Sequence, residues 1–182
     1  NWTSASSLRG NVLDVKGIDP TTSNTPYQFN VTNTVREWVE GSRLNYGFYL
    51  DFDLSSVTAT SFLFASSEYT TNTSYRPKLV VEYELSPCAT TPGCTSGDLI
   101  ATEDTTLNEA SPSATGGGFT SIQVGEGSAG LDYRGLVAYD ISSIPANAVI
   151  RSAKLQLVFL YESPTRAAAA PPLWLQVREA TG

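Results

Sequence analysis

Histidine is absent from all 182 residues. That removes the commonest general base, and with it every Ser–His or Cys–His nucleophile pair. Charge is sparse, at 16% of residues, and the basic share is the smaller one. Eleven Lys and Arg stand against 18 Asp and Glu, a net charge of −7 with no basic cluster. A chain of that sign repels a phosphate backbone, so nucleic acid is not an expected partner. No apolar run approaches the ~20 residues of a membrane-crossing helix, and none has the order of a signal peptide, so no membrane span is expected.

Cysteine is scarce too. Cys88 and Cys94 flank a Thr-Pro-Gly turn in "CATTPGC", a spacing that fits a small disulfide loop, with two free thiols as the alternative. A zinc site needs four ligands, and the chain has no other Cys and no His. A disulfide implies an oxidising compartment, hence an extracellular or cell-surface location. The sequons at Asn1, Asn30 and Asn72 agree with that and make these residues glycosylation candidates. Asn30 ranks below Asn72, because a local structural role is open to it.

What is present favours a globular β protein. Hydrophobic residues make up 41%, with 14 Gly, 10 Pro and abundant Thr and Ser. Residues 1–26 are polar and turn-rich, with one short apolar segment around Val12, Leu13 and Val15. In "FNVTNTVREWVEG", Val31, Val35, Trp38 and Val39 recur at helical spacing. Thr34 with Glu37 has the spacing of a capping box, and Gly41 is a stop signal. Strand patterns follow in "NYGFYLDF", "SFLFASS" and "PKLVVEYEL". A Pro/Thr-rich linker is expected over 87–97. After it the strand series restarts with "GDLIATEDTTLNEA", "FTSIQVG", "YRGLVAYDIS", "IRSAKLQLVFLYE" and "LWLQVREA". Many short strands and one helix predict an all-β, jelly-roll-type β-sandwich.

The chemistry-bearing candidates are few. "GEGSAG", residues 125–130, matches G-x-G-x-x-G but precedes a strand pattern, so a loop between strands is expected. Paired carboxylates at Glu103/Asp104, Asp51/Asp53 and Asp132/Asp140 have the residue types of a glycosidase acid and base. Each sits in an alternating or turn context where a solvated face is the default. No enzyme activity and no cofactor is expected. Calcium is a better use of the acids, with Glu103, Asp104 and Asp132 near strand ends where oxygen-rich loops form. Trp174, Tyr49 and Trp2 are candidates for stacking on sugar rings. Trp174 points opposite to Leu173 and Leu175 and is outward by parity; packing against a neighbour is its alternative role.

Two blocks of motifs resemble one family. "DTTLNEASPSATGG", "IQVGEG", "YRGLVAYDISSIPANAVIRSAKLQLVF" and "LWLQVREA" resemble the first half of a DNRLRE-type domain, kin to the disaggregatase-related repeats. "NWTSA", "YQFNVTNTVREWVEGSRLNYGFYL", "SSE" and "RPKLVVEY" resemble the second half. The resemblance covers nearly the whole chain. It implies a β-sandwich of secreted and surface proteins, some of them carbohydrate-binding modules.

The order of the halves is reversed relative to that family. Residues 1–86 resemble the C-terminal half of a sandwich, 87–97 are the disulfide-closed linker, and 98–182 resemble the N-terminal half of the next. Each half alone leaves an apolar face and sheet edges uncovered. A circular permutant, a tandem array or a head-to-tail polymer would cover them. The repetitive arrangements predict the structural unit of an extracellular filament, sheath or surface array, partnered by copies of itself. The alternative is a carbohydrate-binding module, permuted or excised from a secreted protein, with glycans as partners.

Overall fold

The computed structural model describes residues 7–52, 60–85, 95–114, 116–127, 131–163 and 173–182. Within them lie eleven strands and one α-helix: β1 (Arg9–Ile18), β2 (Thr25–Asn30), α1 (Thr32–Val39), β3 (Phe48–Phe52), β4 (Ser61–Ala65), β5 (Lys78–Leu85), β6 (Thr95–Ile100), β7 (Glu103–Asn108), β8 (Ser121–Glu126), β9 (Asp132–Ala138), β10 (Ala148–Ser163) and β11 (Leu173–Ala180). All pairings are antiparallel. The strands follow the order β1-β11-β3-β9-β8-β4-β10-β5-β6, with β7 beside β9 and β2 beside β10. The sheet curls on itself and encloses one core, an all-β, sandwich-like fold as the patterning predicted.

Alternation explains which face is buried along much of β10 and β11, whereas β3 and β4 are buried at every position. On β10, Ala153, Leu155, Leu157 and Phe159 point inward while Lys154 and Gln156 stay outside. On β11, Leu173, Leu175 and Val177 are buried against Trp174, Gln176 and Arg178. Phe159 anchors an aromatic cluster, with ring centroids 5.2 Å from Phe62 and 6.0 Å from Phe64; Phe62 stacks on Phe52 at 5.1 Å. Buried rings of this size dominate core energetics, and their offset and edge-on contacts add about 0.5–1.5 kcal/mol per pair.

The helix forms where expected, with Val35 and Trp38 packed inward, but it starts differently. Thr34 is buried within the helix rather than capping it. The cap position is Val31, with no side-chain cap bond, and Asn30 just before it makes a local turn: its Oδ1 accepts from the Thr32 amide at 3.1 Å and the Thr32 hydroxyl at 2.7 Å. Gly41 ends the helix at φ 72°, its amide donating to the Trp38 carbonyl, a geometry a side chain would disfavour.

One boundary expected from the sequence is corrected, and the two halves are seen to pair within the chain. Residues 95–97 do not belong to a linker, because Thr95, Ser96 and Gly97 pair with Tyr83, Glu82 and Val81 as the first half of β6. More consequentially, the two halves complete each other within one chain. Strand β11 lies between β1 and β3, and β10 pairs with β2, β4 and β5. Of the ten ladders among the described residues, eight join a strand before residue 86 to one after residue 94. The other two, β7–β9 and β8–β9, lie within the second half. The apolar faces that called for a neighbouring unit are therefore covered by the chain's own strands.

Candidate functional site

The sequence-predicted site residues do not converge. Cys88, Cys94, Asn1, Trp2 and Asp53 lie outside the described residues. Trp174 is outward as parity requires and 54% exposed, opposite Gly17 of β1. Tyr49 also points away from the core, yet it is 2% exposed and cannot serve as a stacking platform. It lies beside Asp51, Arg9 and Arg134, and burial raises its hydroxyl above the usual tyrosine range. Long arginine stems cover that face of β3 and shut it from water.

The three calcium candidates are likewise spread apart. Glu103 and Asp104 are adjacent on β7 and so face opposite sides of the sheet. Asp104 is opposite Val137, and Asp132 is five residues further along β9, about 16 Å at the strand rise. Asp132 is committed to Arg134 at 2.5 Å instead. Among the described residues, no group of three acids comes together in metal-binding geometry. Asp140 sits past the opposite end of β9 from Asp132, so that pair cannot flank one glycosidic bond.

Asn30 and Asn72 make the same kind of local turn. The Asn72 Oδ1 accepts from the Ser74 amide at 3.1 Å and hydroxyl at 2.7 Å, opening a 3₁₀ turn over Thr73–Tyr75. Both sequon asparagines are exposed, and both spend their side-chain oxygen on the residue two positions on.

A pocket of about 400 Å³ lies under the loop joining β7 to β8. The loop folds back through tight turns: Ala110 N–H donates to Asn108 Oδ1 at 2.8 Å, and Ala114 N–H to the Ser111 carbonyl at 2.9 Å. Gly116 lets the loop approach β7, since a Cβ there would lie 2.6 Å from the Thr106 carbonyl oxygen. Thr106, Asn108, Ser111, Ser121 and Gln123 line the pocket with neutral hydrogen-bonding groups. Phe119 and Tyr133 add two rings, and Phe119 is 63% exposed. Gln123 is held in place by its amide's bond to Thr106 Oγ1 (2.9 Å) and by Nε2 donating to Ser61 Oγ (2.7 Å). The lining carries no charge.

A second, shallower groove of about 700 Å³ follows the seam where β1 runs beside β2 without a ladder. Lys16, Lys154 and Arg151 line it with Asp14, Gln28 and Asn30. Its charges are largely answered locally, Arg151 by Glu84 at 2.5 Å and Lys16 by Asp14 at 3.8 Å. The sequence reading missed Phe119. The signal was there: a lone aromatic directly after Gly116-Gly117-Gly118, in a polar loop where no core position exists. No family model, curated protein or solved structure matches this chain.

Proposed function

We propose that the chain is a saccharide-binding module of an extracellular or cell-surface protein, with no catalytic role. One observation carries this reading: the uncharged pocket in which exposed Phe119 and half-buried Tyr133 stand beside five neutral hydrogen-bonding side chains. Sugar rings present apolar C–H faces that stack on aromatics and hydroxyl rims that exchange hydrogen bonds with amides and hydroxyls. A pocket with that mixture and no charge suits a neutral saccharide better than an ion or a lipid. The outward Trp174 and the resemblance to DNRLRE-type domains support the same class of ligand. The covering of both half-cores within one chain also suits a self-contained module.

The test is a binding panel of neutral polysaccharides and oligosaccharides, read by affinity electrophoresis and calorimetry. Phe119→Ala is expected to weaken the binding about two- to tenfold, the value of one ring contact of ~0.5–1.5 kcal/mol. Its melting temperature should be unchanged, because the ring is mostly in solvent. A chain that binds no member of the panel, or binds with Phe119→Ala and Tyr133→Ala having no effect, overturns the assignment.

A further inference from the structure

The strands of the first half make no ladder with one another; each pairs only with strands of the second half among the described residues. Strand β10 enters between first-half strands, and β11 separates β1 from β3. The core has the same division. Phe52, Phe62 and Phe64 come from the first half and Phe159 from the second. Helix α1 likewise packs on β10. In sequence, the halves are joined through residues 86–94, between Leu85 and Thr95, and Pro87 and Pro92 lie in that join.

From this topology we infer that copies of the chain exchange halves, residues 95–182 of one copy completing residues 7–85 of another. The exchanged form needs no new surface. The eight ladders between the halves, the contacts of Phe159 with Phe62 and Phe64, and the Lys78–Asp98 ion pair of 3.7 Å would be remade with the same partners, drawn from a second copy, while contacts within each half stay as they are. Contacts therefore cancel between the two forms, and the choice rests on concentration. A join only nine residues long, 86–94, sets the effective concentration of its own second half in roughly the millimolar range. Isolated chains in dilute solution close on themselves, and crowded copies exchange. Reciprocal exchange closes a symmetric dimer, whereas one-way exchange leaves a half unfilled at each end and grows an open chain. That is a route to the filament or surface array expected from the motif order, and it is independent of whether a saccharide binds.

The experiment uses the full chain. Equal amounts of ordinary and heavy-nitrogen protein are unfolded together, refolded at ~1 µM or at ~1 mM, below and near the effective concentration of the join, and separated by size exclusion with light scattering. A zero-length carbodiimide then links Lys78 to Asp98, and the joined peptides are read by mass spectrometry. Exchange predicts oligomers that increase with refolding concentration, carrying mixed-isotope Lys78–Asp98 pairs at the share expected for random pairing. Monomers should carry like-isotope pairs alone. A chain that stays monomeric at the higher concentration, or oligomers whose pairs are all like-isotope, overturns the inference.

Discussion

Arg134 Nε lies 2.7 Å from Asp51 Oδ1, on a carboxylate that is wholly buried. The same carboxylate takes Arg9 at 2.8 Å and Arg178 at 3.8 Å, so three guanidiniums from β1, β9 and β11 converge on one strand, β3. The residues come from both halves of the chain, and the cluster ties the sheet together on the side away from the core. Asp51→Ala removes the shared anion and leaves Arg134 and Arg178 partly desolvated. Removing one partner of a buried pair costs about 3–5 kcal/mol. The lower end is expected here, because Arg134 keeps Asp132 at 2.5 Å. Arg9→Ala should cost under about 1 kcal/mol, since its side chain is 43% exposed and solvent screens it. Urea denaturation of the two variants checks the ranking, and an equal loss in both would refute it.

Asp104 gives the stability a pH dependence of definite sign. Its carboxyl is buried beside the core, accepting from the Ser67 amide at 2.5 Å. Burial holds it above the usual carboxylate range, Ser67 opposes that, and the charge of Glu68 adds to it. A raised folded value means that the ionised form is disfavoured in the folded chain. The contribution is fully present below the unfolded value near 3.8 and is lost as pH rises through the raised folded value. Asp104→Asn keeps an acceptor for Ser67 while removing the charge. It should be more stable than the parent at neutral pH and equal to it in acid. Denaturation at both pH values measures this, and a gap that widens in acid would contradict it.

The strands most legible in the sequence were those that alternate apolar with polar or small residues over several positions, in β3, β5, β10 and β11. Strand β1 escaped notice because its ladder slips between Arg9 and Val12 and again between Val12 and Asp14, which breaks the two-residue period. Strand β2, TPYQFN, has a single buried apolar residue, Phe29, and is a strand because β10 is there to pair with it. The same tertiary override turns Thr95–Gly97 from a turn-like run into strand. Parity placed Tyr49 on the correct face, but it says nothing about arginines arriving from elsewhere. Which chain supplies the missing half is a matter of long-range pairing, and local pattern is silent on it.

Asn30 joins three elements at the seam. Its amide donates to Asp14 Oδ2 of β1 at 2.8 Å, while its side chain opens α1 by accepting from Thr32. Asn30→Ala should cost about 1 kcal/mol, as the loss of a helix-start acceptor does. Asn30→Asp retains an acceptor and should recover most of it. A thermal melt of the two variants separates this acceptor role at the helix entry from a purely spatial one, which would leave Asp no better than Ala.

Gly125 is the residue on which the β8 end of the sheet is most sensitive to a single methyl group. It sits at φ 130°, a region that L side chains rarely adopt, opposite Ser61 of β4. A Cβ at this position would meet the Thr60 carbonyl oxygen at 2.5 Å and the Ser61 Cα at 2.8 Å, backbone atoms that have no rotamer to yield. The neighbouring ladder is also anchored there, since the Glu126 amide donates to the Thr60 carbonyl at 2.9 Å. Gly125→Ala therefore has to break that bond or move β4 away from β8. A strained backbone of this kind costs on the order of 1–3 kcal/mol, and the clash adds to it. Gly118, by contrast, meets nothing within 4 Å, and no positive φ holds it to glycine. Gly118→Ala is expected to be near neutral, or slightly stabilising through the unfolded state. Guanidinium midpoints of the two variants decide the matter: a Gly125→Ala midpoint no lower than that of Gly118→Ala would mean that β8 does not hold this register.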